Sequence, residues 1–335
     1  MTYKEIFSFK NLLKAHNKTK RSKLYKKQVC EFELNKSYEL YKLYEELQKK
    51  AYKISPYNTF KIFEPKERRV DATSYRDRVV QNCFVDNYLF PILEKHLIYD
   101  NAACRKNKGT DFARNRLKEF LVKCNKKYNS NFYVLTYDIH HYFESINHDV
   151  LKKKMKHIIK DLEIYEFVCM IIDSFNKDEN KGLPLGNQSS QCFALYYLDS
   201  FDRIVKEKYS IKYYSRYMDD GVILSNDQDK LKKLLYDLKI ELDKLNITFN
   251  ETKTMIYPIK QGITYLGFRY RINSNNKILV SMANKKKKRL IHYIHRYELK
   301  CESLFSYRNY IRLRTNSNKK LIKYIDKEIS IIKNK

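Results

Sequence analysis

The sequence predicts an α+β fold, because strand-like and helical patterns both occur along the chain. Short apolar runs at residues 132–139 and 212–225 are typical of β-strands, and the second run folds about a turn. Apolar residues with helical spacing mark residues 75–98, 183–205 and 230–245. Both strand-like runs carry aspartates, so we expect the chemistry of the protein at the predicted sheet.

The chain carries a large excess of positive charge. Its 335 residues include 68 Lys and Arg against 39 Asp and Glu, which gives a formal net charge of +29. Counterion release on binding a polyphosphate would contribute strongly to affinity, so nucleic acid is the leading candidate partner. Lysine enrichment in an AT-biased genome, or a basic membrane-surface protein, would give a similar composition.

Neither a membrane span nor an export signal is indicated. No apolar run approaches the ~18 to 20 residues of a transmembrane helix, and the start, MTYKEIFSFK, lacks the apolar segment of a signal peptide. The seven cysteines form no CxxC pair, so neither a disulfide framework nor a zinc site is expected. We therefore expect a cytoplasmic protein with no membrane partner.

Glycine is scarce in this chain. There are six, whereas average usage of roughly 7% would give about 23. We therefore expect each glycine where a positive φ, or a ligand against the backbone, excludes a side chain. The six are Gly109, Gly182, Gly186, Gly221, Gly262 and Gly267.

Three parts are predicted along the chain. Residues 1–55 form a basic N-terminal segment, in which 1–30 is an arm that precedes a helix. Residues 56–275 mix strands and helices, and Asn147 is a good cap for a helix that follows it. Residues 276–335 are basic, with helical spacing of their apolar residues, and predict a small helical bundle.

Three aspartates are the strongest candidates for catalysis. In RYMDDGVIL, Asp219 and Asp220 occupy the tip of a predicted hairpin, where they offer hard oxygen ligands to divalent cations, although DDG is also ordinary turn chemistry. In YVLTYDIHHYF, Asp138 ends an apolar strand and would lie beside that hairpin if the strands pair. Three carboxylates from two strands suit two-metal phosphoryl transfer, with the Ile139 carbonyl as an additional ligand.

With these motifs the chain resembles a reverse transcriptase, over about residues 57–275 and through a series of motifs in order. The resemblance implies a right-hand polymerase with fingers, palm and a mostly helical thumb formed by residues 276–335. It further implies that dNTPs are added to the 3′-OH of a DNA or RNA primer on an RNA template. Two Mg²⁺ ions, or Mn²⁺ in their place, would serve as cofactors.

Two basic motifs resemble parts of the family's fingers. EPKERR implies that Lys66 and Arg68 hold the incoming triphosphate, with Arg69 as the neighbouring alternative. ACRKNKGTDFA is similar to the next fingers motif. The template-binding residues that it implies are Arg105, Lys108 and Gly109. A solvated basic turn remains the plain alternative for EPKERR.

The nucleotide pocket is implied by two further motifs. Phe143, five residues after the first aspartate, resembles the family's steric gate against a ribose 2′-OH, with a core aromatic as the alternative. GLPLGNQSSQ resembles the motif that lines the pocket. It implies nucleotide contacts by Leu185, Gly186 and Gln191, with the glycine letting the backbone approach the base pair.

Two motifs near residue 260 complete the series. ETKTMI resembles the motif with a lysine near the pyrophosphate, so Lys253 is a candidate general acid, with an exposed strand-end lysine as the alternative. TYLGFRY resembles the primer grip, which implies primer contacts by Leu266 and Gly267.

Leu185 and Gln191 depart from the commonest family pattern, which has Gln and Pro there. The variant pattern resembles the enzymes of diversity-generating retroelements and some defence polymerases. The first resemblance implies a template-repeat RNA, a small basic accessory protein and relaxed fidelity, because a leucine cannot hydrogen-bond the nucleotide. The alternatives are an anti-phage defence enzyme, with a dedicated noncoding RNA or untemplated or self-primed synthesis, and, ranked lower, a basic RNA-binding scaffold.

Overall fold

The structure is a computed structural model that describes residues 1–63, 67–296 and 299–333. The predicted triphosphate ligand Lys66 lies outside the described residues. The chain divides into two compact units. Unit A comprises Met1–Tyr99, Ile139–Lys208 and Asp237–Phe249, and unit B comprises Asp100–Asp138, Tyr209–Tyr236 and the described residues from Asn250 onward.

Helices and strands alternate along the described residues, and the helices at 110–128 and 162–173 lie in segments for which none was predicted. The helices are α1 (Tyr3–Ile6), α2 (Phe9–Thr19), α3 (Lys27–Leu34), α4 (Lys36–Gln48), α5 (Tyr75–Phe84), α6 (Phe90–Glu94), α7 (Thr110–Tyr128), α8 (Tyr142–Ser145), α9 (His148–Ile158), α10 (Leu162–Asp173), α11 (Gln188–Tyr197), α12 (Asp199–Arg203), α13 (Gln228–Lys244), α14 (Asn284–Arg296), α15 (Cys301–Arg314) and α16 (Lys319–Lys333). The strands are β1 (Asn58–Ile62), β2 (Arg68–Ala72), β3 (Tyr133–Tyr137), β4 (Tyr213–Tyr217), β5 (Asp220–Ser225), β6 (Met255–Pro258), β7 (Ile263–Tyr265), β8 (Phe268–Ile272) and β9 (Ile278–Met282). Short π-helical segments at Val85–Leu89 and Ile204–Lys208 adjoin α6 and α12.

Unit A is mostly helical and includes the β1–β2 hairpin. Its N-terminal residues correct the prediction of an arm, because 1–30 contains the helices α1 and α2. Phe7 is fully buried, and its ring lies 4.8 Å from that of Phe167 and 6.2 Å from that of Phe84. These aromatic partners are distant in sequence, so local periodicity could not reveal them.

The predicted helix cap at Asn147 is confirmed. Its side chain accepts a hydrogen bond at 3.0 Å from the backbone N–H of Val150, in the first turn of α9. This bond satisfies one of the amides that a helix start leaves without an intrahelical partner. The cap, four residues after Phe143, fixes where α9 begins.

Unit B contains an antiparallel sheet with strand order β4-β5-β3-β6. The helix α7 packs an apolar stripe into the same core as the sheet residues Val134 and Leu224. The spacing of that stripe is helical, which explains why these residues form one buried face. The stripe consists of Ala113, Leu117, Phe120, Leu121 and Cys124.

A second antiparallel sheet in unit B has the order β7-β8-β9. The strand β9 was not predicted, because residues 276–335 were assigned to helices alone. Ile278, Val280 and Met282 are buried, and the residues between them are less so. This alternation has the two-residue period of a strand. The helices α14 to α16 then share a small core of their own.

In the part of the chain that the structure describes, no helix is both long and apolar enough to cross a membrane.

We expect Asp77→Ala to lower the free energy of unfolding by about 3 kcal/mol in urea denaturation. Asp77 is fully buried at the start of α5, where its carboxylate accepts hydrogen bonds from Tyr52, Ser55 and Ser74 at 2.7 to 3.0 Å. The control Tyr52→Phe removes one donor and should cost only about 1 kcal/mol. Equal losses in the two variants would contradict this account.

Candidate active site

The pairing of β3 with β5 brings two of the three aspartates together. Tyr137 lies opposite Gly221 in this antiparallel register, so the next positions on the two strands are Asp138 and Asp220. Their side chains share a hydrogen bond. The strands pair as the sequence predicts, and the carboxylates from YVLTYDIHHYF and RYMDDGVIL meet at one end of the sheet.

The turn that carries Asp219 is held in an unusual conformation. Tyr217 lies opposite Asp220, so Met218 and Asp219 form a two-residue turn, and Met218 has a φ of 58°. Such a φ is uncommon for a residue with a long side chain, and strain of this kind persists where surrounding contacts maintain it. Arg216, fully buried, donates from Nη1 to the Met218 carbonyl at 2.9 Å.

Arg216 is a site residue that sequence reasoning missed. Its signal was an arginine inside a strand-forming run, two residues before the turn. A buried guanidinium needs several acceptors, and the turn carbonyl is one of them. Arg216 therefore supports the geometry of the aspartates through Met218, without contacting substrate.

Gly221, next to Asp220, packs directly against the ring of Tyr137. A Cβ at this position would collide with the ring of Tyr137, whose hydroxyl lies 2.7 Å from that of Tyr214. The other five glycines have positive φ values, as predicted, whereas Gly221 excludes a side chain through its contact with Tyr137, a reason that was not predicted.

Lys253 contacts the trio directly. Its Nζ donates to Oδ2 of Asp138 at 2.7 Å. The backbone N–H of Asn250 donates to the Asp138 carbonyl at 2.8 Å, and the N–H of Lys253 donates to the Asn250 carbonyl at 3.1 Å. These bonds fix residues 250–253 to the end of β3. The lysine side chain is 53% exposed, against 13% for that of Asp138, so the ammonium group faces solvent on one side.

The surroundings of Asp220 disfavour the charged form of its carboxyl group. Burial, followed by the charges of Asp219 and Asp138 and the hydrogen bond with Asp138, raises the pKa of Asp220 from 3.8 to about 7, and Lys253 opposes this rise. The raised pKa means that the folded site disfavours the charged form of Asp220, first because the carboxyl group is buried and second because two neighbouring carboxylates carry the same charge.

The donor set fits a divalent cation of the Mg²⁺ type. It consists of carboxylate oxygens, with the Ile139 carbonyl next in the chain, and hard cations prefer oxygen ligands. A bound cation would also relieve the excess charge that raises the Asp220 pKa. Among the residues that the structure describes, no three His, Cys, Asp or Glu side chains form a ready-made metal cluster.

A cavity of about 460 Å³ opens beside the carboxylates. Its lining includes Asp138, Asp220 and Lys253 together with Leu266 of the predicted primer grip. All of these residues belong to unit B. The reactive groups and the predicted primer-binding turn thus share one open space.

The predicted primer-binding residues form the turn between β7 and β8. Leu266 and Gly267 have φ values of 46° and 82°, and Tyr265 lies opposite Phe268. Two consecutive positive φ values are typical of a type I′ hairpin turn. A Cβ on Gly267 would lie 3.1 Å from Cδ of Lys286, so a larger residue would crowd α14.

The predicted template-binding residues form the loop before α7. Arg105 donates from Nη1 to the Asn101 carbonyl at 2.9 Å, and Nζ of Lys108 lies 5.1 Å from the centroid of the Phe112 ring. Gly109 has a φ of 121° and is followed at once by the helix.

The described residues predicted to bind the nucleotide, Arg68, Phe143, Leu185, Gly186 and Gln191, all belong to unit A. The N–H of Leu183 donates to the Phe143 carbonyl at 2.8 Å, which fixes the aromatic residue beside the Leu185–Gly186 turn. A Cβ on Gly186 would lie 4.0 Å from Val70, which shares β2 with Arg68. Gln191 is half-buried on α11, and Arg69 is ion-paired with Asp71 at 3.0 Å.

In protein freed of metal by EDTA, we expect Asp220→Asn to be more stable than the wild type at pH 8. The pKa of Asp220 is raised on folding, so its contribution to stability is present below about pH 4 and is lost as the pH rises through about 7. The difference in unfolding free energy at pH 8 should reach about 2–4 kcal/mol. The exposed control Asp243→Asn, on α13, should leave the pH profile unchanged. An Asp220→Asn variant that is no more stable than the wild type would contradict the raised pKa of Asp220.

Two comparisons with known proteins find matches, one to a protein family and one to solved structures. A family profile described as reverse transcriptase (RNA-dependent DNA polymerase) matches residues 47–270, more than half of the chain. Apo telomerase from Candida tropicalis has a TM-score of 0.50 at 15% identity, over 65% of this chain and 47% of that one. Telomerase from Candida albicans, in complex with a fragment of telomeric RNA, has a TM-score of 0.49 at 11% identity, over 68% of this chain and 45% of that one.

The chain thus spans about half the length of the telomerase structures it matches. None of the curated proteins that were compared matches it. The similarity to apo telomerase supports the fold alone, because the identity is low, and the α+β right-hand polymerase fold predicted from the sequence is confirmed. The chain belongs to the reverse transcriptase (RNA-dependent DNA polymerase) family.

Proposed function

We propose that this protein synthesises DNA on an RNA template by adding dNTPs to a primer 3′-OH. The observation that carries the proposal is the β3–β5 register, which sets Asp138 opposite Asp220 with Lys253 bound to the first of them. Carboxylates from two strands beside an open cavity suit phosphoryl transfer better than they suit a structural role.

The carboxylates and the lysine have separate tasks. Asp138, Asp219, Asp220 and the Ile139 carbonyl would hold two Mg²⁺ ions, which would supply activation of the 3′-OH and neutralisation of phosphate charge. Lys253 keeps the site partly neutral before substrate enters, through its 2.7 Å bond to Asp138. Its half-exposed, flexible side chain then places the ammonium group near the leaving pyrophosphate, where it donates a proton.

Nucleotide selection falls to residues of unit A together with Lys66. Lys66 and Arg68 bind the triphosphate, and Phe143 excludes a ribose 2′-OH. The hydrogen bond from Leu183 to the Phe143 carbonyl supports this role, because a steric gate must hold its position. Leu185, Gly186 and Gln191 contact the base pair, with the glycine permitting close approach of the backbone.

Template and primer are bound by basic and turn residues of the fingers, palm and thumb. Arg105, Lys108 and Gly109 contact the template, and Leu266 and Gly267 contact the primer. We assign residues 56–275 to fingers and palm, 276–335 to the thumb and 1–55 to a basic N-terminal segment. The net charge of +29 supports a long nucleic-acid interface, since each neutralised phosphate releases counterions.

Within the family we favour the enzyme of a diversity-generating retroelement. Leu185 and Gln191 support this assignment, because an aliphatic residue in the pocket gives up a hydrogen bond to the incoming nucleotide. The partners would be a template-repeat RNA and a small basic accessory protein. The alternative is a defence enzyme with a dedicated noncoding RNA, untemplated synthesis or self-priming. Neighbouring genes distinguish the two: a variable protein with paired repeats supports the first, and a defence cassette supports the second.

Purified protein with its co-purifying RNA, given Mg²⁺ and labelled dNTPs, should make DNA complementary to that RNA. Asp219→Asn should lower the rate on the order of 1000-fold, because it removes a metal ligand. The exposed control Asp229→Asn should retain the wild-type rate. Homopolymer made regardless of the RNA would support untemplated synthesis instead, and no product at all would support the RNA-binding scaffold.

Leu185→Gln should make synthesis on a defined RNA about tenfold more accurate, because it restores a hydrogen-bonding side chain to the pocket. Sequencing of the DNA products measures the error spectrum. A matched control is Leu162→Gln, which changes an exposed leucine on α10 in the same unit. Equal error spectra for the wild type and Leu185→Gln would rule out relaxed selection at this residue.

A further inference from the structure

The turn between β7 and β8 is held from outside by an arginine. Leu266 has a φ of 46°, a conformation that leucine rarely adopts. Its carbonyl accepts two hydrogen bonds from Arg114, from Nη2 at 3.0 Å and from Nε at 3.3 Å. A charged donor strengthens such bonds, so the guanidinium compensates for a turn that the residue type disfavours.

Arg114 is itself tightly held. Its side chain is only 11% exposed, and its Nη1 donates to Asp111 at 2.8 Å. The guanidinium lies 4.6 Å from the centroid of the Phe268 ring, directly after the turn. A planar group bound through its edges and one face cannot rotate freely. The orientation of Arg114 therefore fixes the turn with respect to α7.

These contacts continue into a closed ring of side chains. Asp111 also accepts from Nε of Arg314 at 2.8 Å, and Arg314 lies 4.4 Å from the centroid of the Tyr310 ring. The hydroxyl of Tyr310 accepts from Nζ of Lys286 at 2.9 Å, and that Nζ lies 5.3 Å from the Phe268 centroid. The ring therefore joins α7, β8, α14 and α15 in unit B. Its members are Arg114, Asp111, Arg314, Tyr310, Lys286 and Phe268.

The ring connects two sets of predicted nucleic-acid contacts. The loop with Arg105 and Gly109 leads directly into α7, and Arg114 lies in the second turn of that helix. The same arginine binds the carbonyl of Leu266 at the predicted primer grip. The ring contains three cations and one carboxylate, and its remaining positive charge suits neighbouring phosphates.

We propose that Arg114 is a positioning residue for the primer, which holds the Leu266–Gly267 turn at a fixed place relative to the template-side loop before α7. The proposal rests on the proposed function, because it assumes that this turn contacts the primer. Arg114 acts through the Leu266 carbonyl and does not touch the reacting atoms. Arg314, Tyr310 and Lys286 brace it from the C-terminal helices.

Steady-state kinetics test this role with Arg114→Met, which keeps much of the side-chain volume and removes every donor. We expect the KM for primer–template to rise roughly tenfold, as expected for loss of a charge-assisted hydrogen bond, with the KM for dNTP and the kcat within twofold of the wild type. Arg114→Lys keeps the charge but cannot donate two hydrogen bonds to one carbonyl. Its KM for primer–template should lie between those of the wild type and Arg114→Met. The lysine variant also keeps the test available if the methionine variant does not fold. The control Lys118→Met removes an exposed charge one turn further along α7 and should change the KM for primer–template less than twofold.

A double-mutant cycle with Leu266→Asn separates positioning from general stability. Asparagine tolerates a positive φ, so the turn should need less support, and Arg114→Met should raise the KM for primer–template less in that background. Hydrogen exchange of residues 263–270 supplies a readout that needs no activity: the amides should exchange faster in Arg114→Met. Unchanged exchange, or kinetic losses shared equally by primer and dNTP, would overturn the proposal. If the wild type makes no DNA, the proposed function fails, while hydrogen exchange still decides whether Arg114 holds the turn.

Discussion

The antiparallel register of β3 and β5 is the constraint on which the rest of the site depends. It sets Asp138 opposite Asp220, and the Asn250 amide on the Asp138 carbonyl then brings Lys253 within hydrogen-bonding distance. A slip of β5 by one residue in this register would turn Asp220 to the other face of the sheet. Gly221 and the ring of Tyr137 oppose such a slip, because the ring fits only where the partner strand has no side chain.

The same register brings carboxylates of like charge close together, and Lys253 reduces the repulsion between them. Burial and two neighbouring carboxylates raise the pKa of Asp220, and Lys253 supplies a nearby cation. The strained backbone of Met218 is held by a buried arginine. Clustered carboxylates and a strained backbone both destabilise the folded chain. Such features are expected at functional sites, where a bound substrate or cation offsets the loss of stability. The charge distribution and the backbone strain thus agree with the family assignment.

The sequence predicted those parts of the site that short motifs determine. Asp138 was expected beside Asp219 and Asp220 because apolar runs next to aspartates predict paired strands, and Asn147 was recognised as a cap from its position alone. Scarcity of glycine identified positions such as Gly221 before any contact was known. These signals depend on neighbouring residues, so one sequence was enough to read them.

Other features depend on contacts between residues far apart in the chain, and the sequence did not reveal them. Arg114 and the Leu266 carbonyl are 152 residues apart, and no local pattern in TDFARNRLKEF distinguishes this arginine from Arg116. The helix α2 was taken for part of an arm, because its burial depends on partners elsewhere in unit A. The strand β9 was assigned to a helical segment, because five residues before a lysine run carry too little periodicity for a decision.

The central claim is that the carboxylate trio performs RNA-templated nucleotide addition, and extension of a defined DNA primer by one nucleotide on a defined RNA tests it most directly. Each dNTP is supplied alone, to the wild type and to Asp138→Asn. The account predicts preferential addition of the nucleotide complementary to the template base by the wild type, and loss of that addition in the variant. Extension that ignores the template base, or that survives in Asp138→Asn, would contradict it.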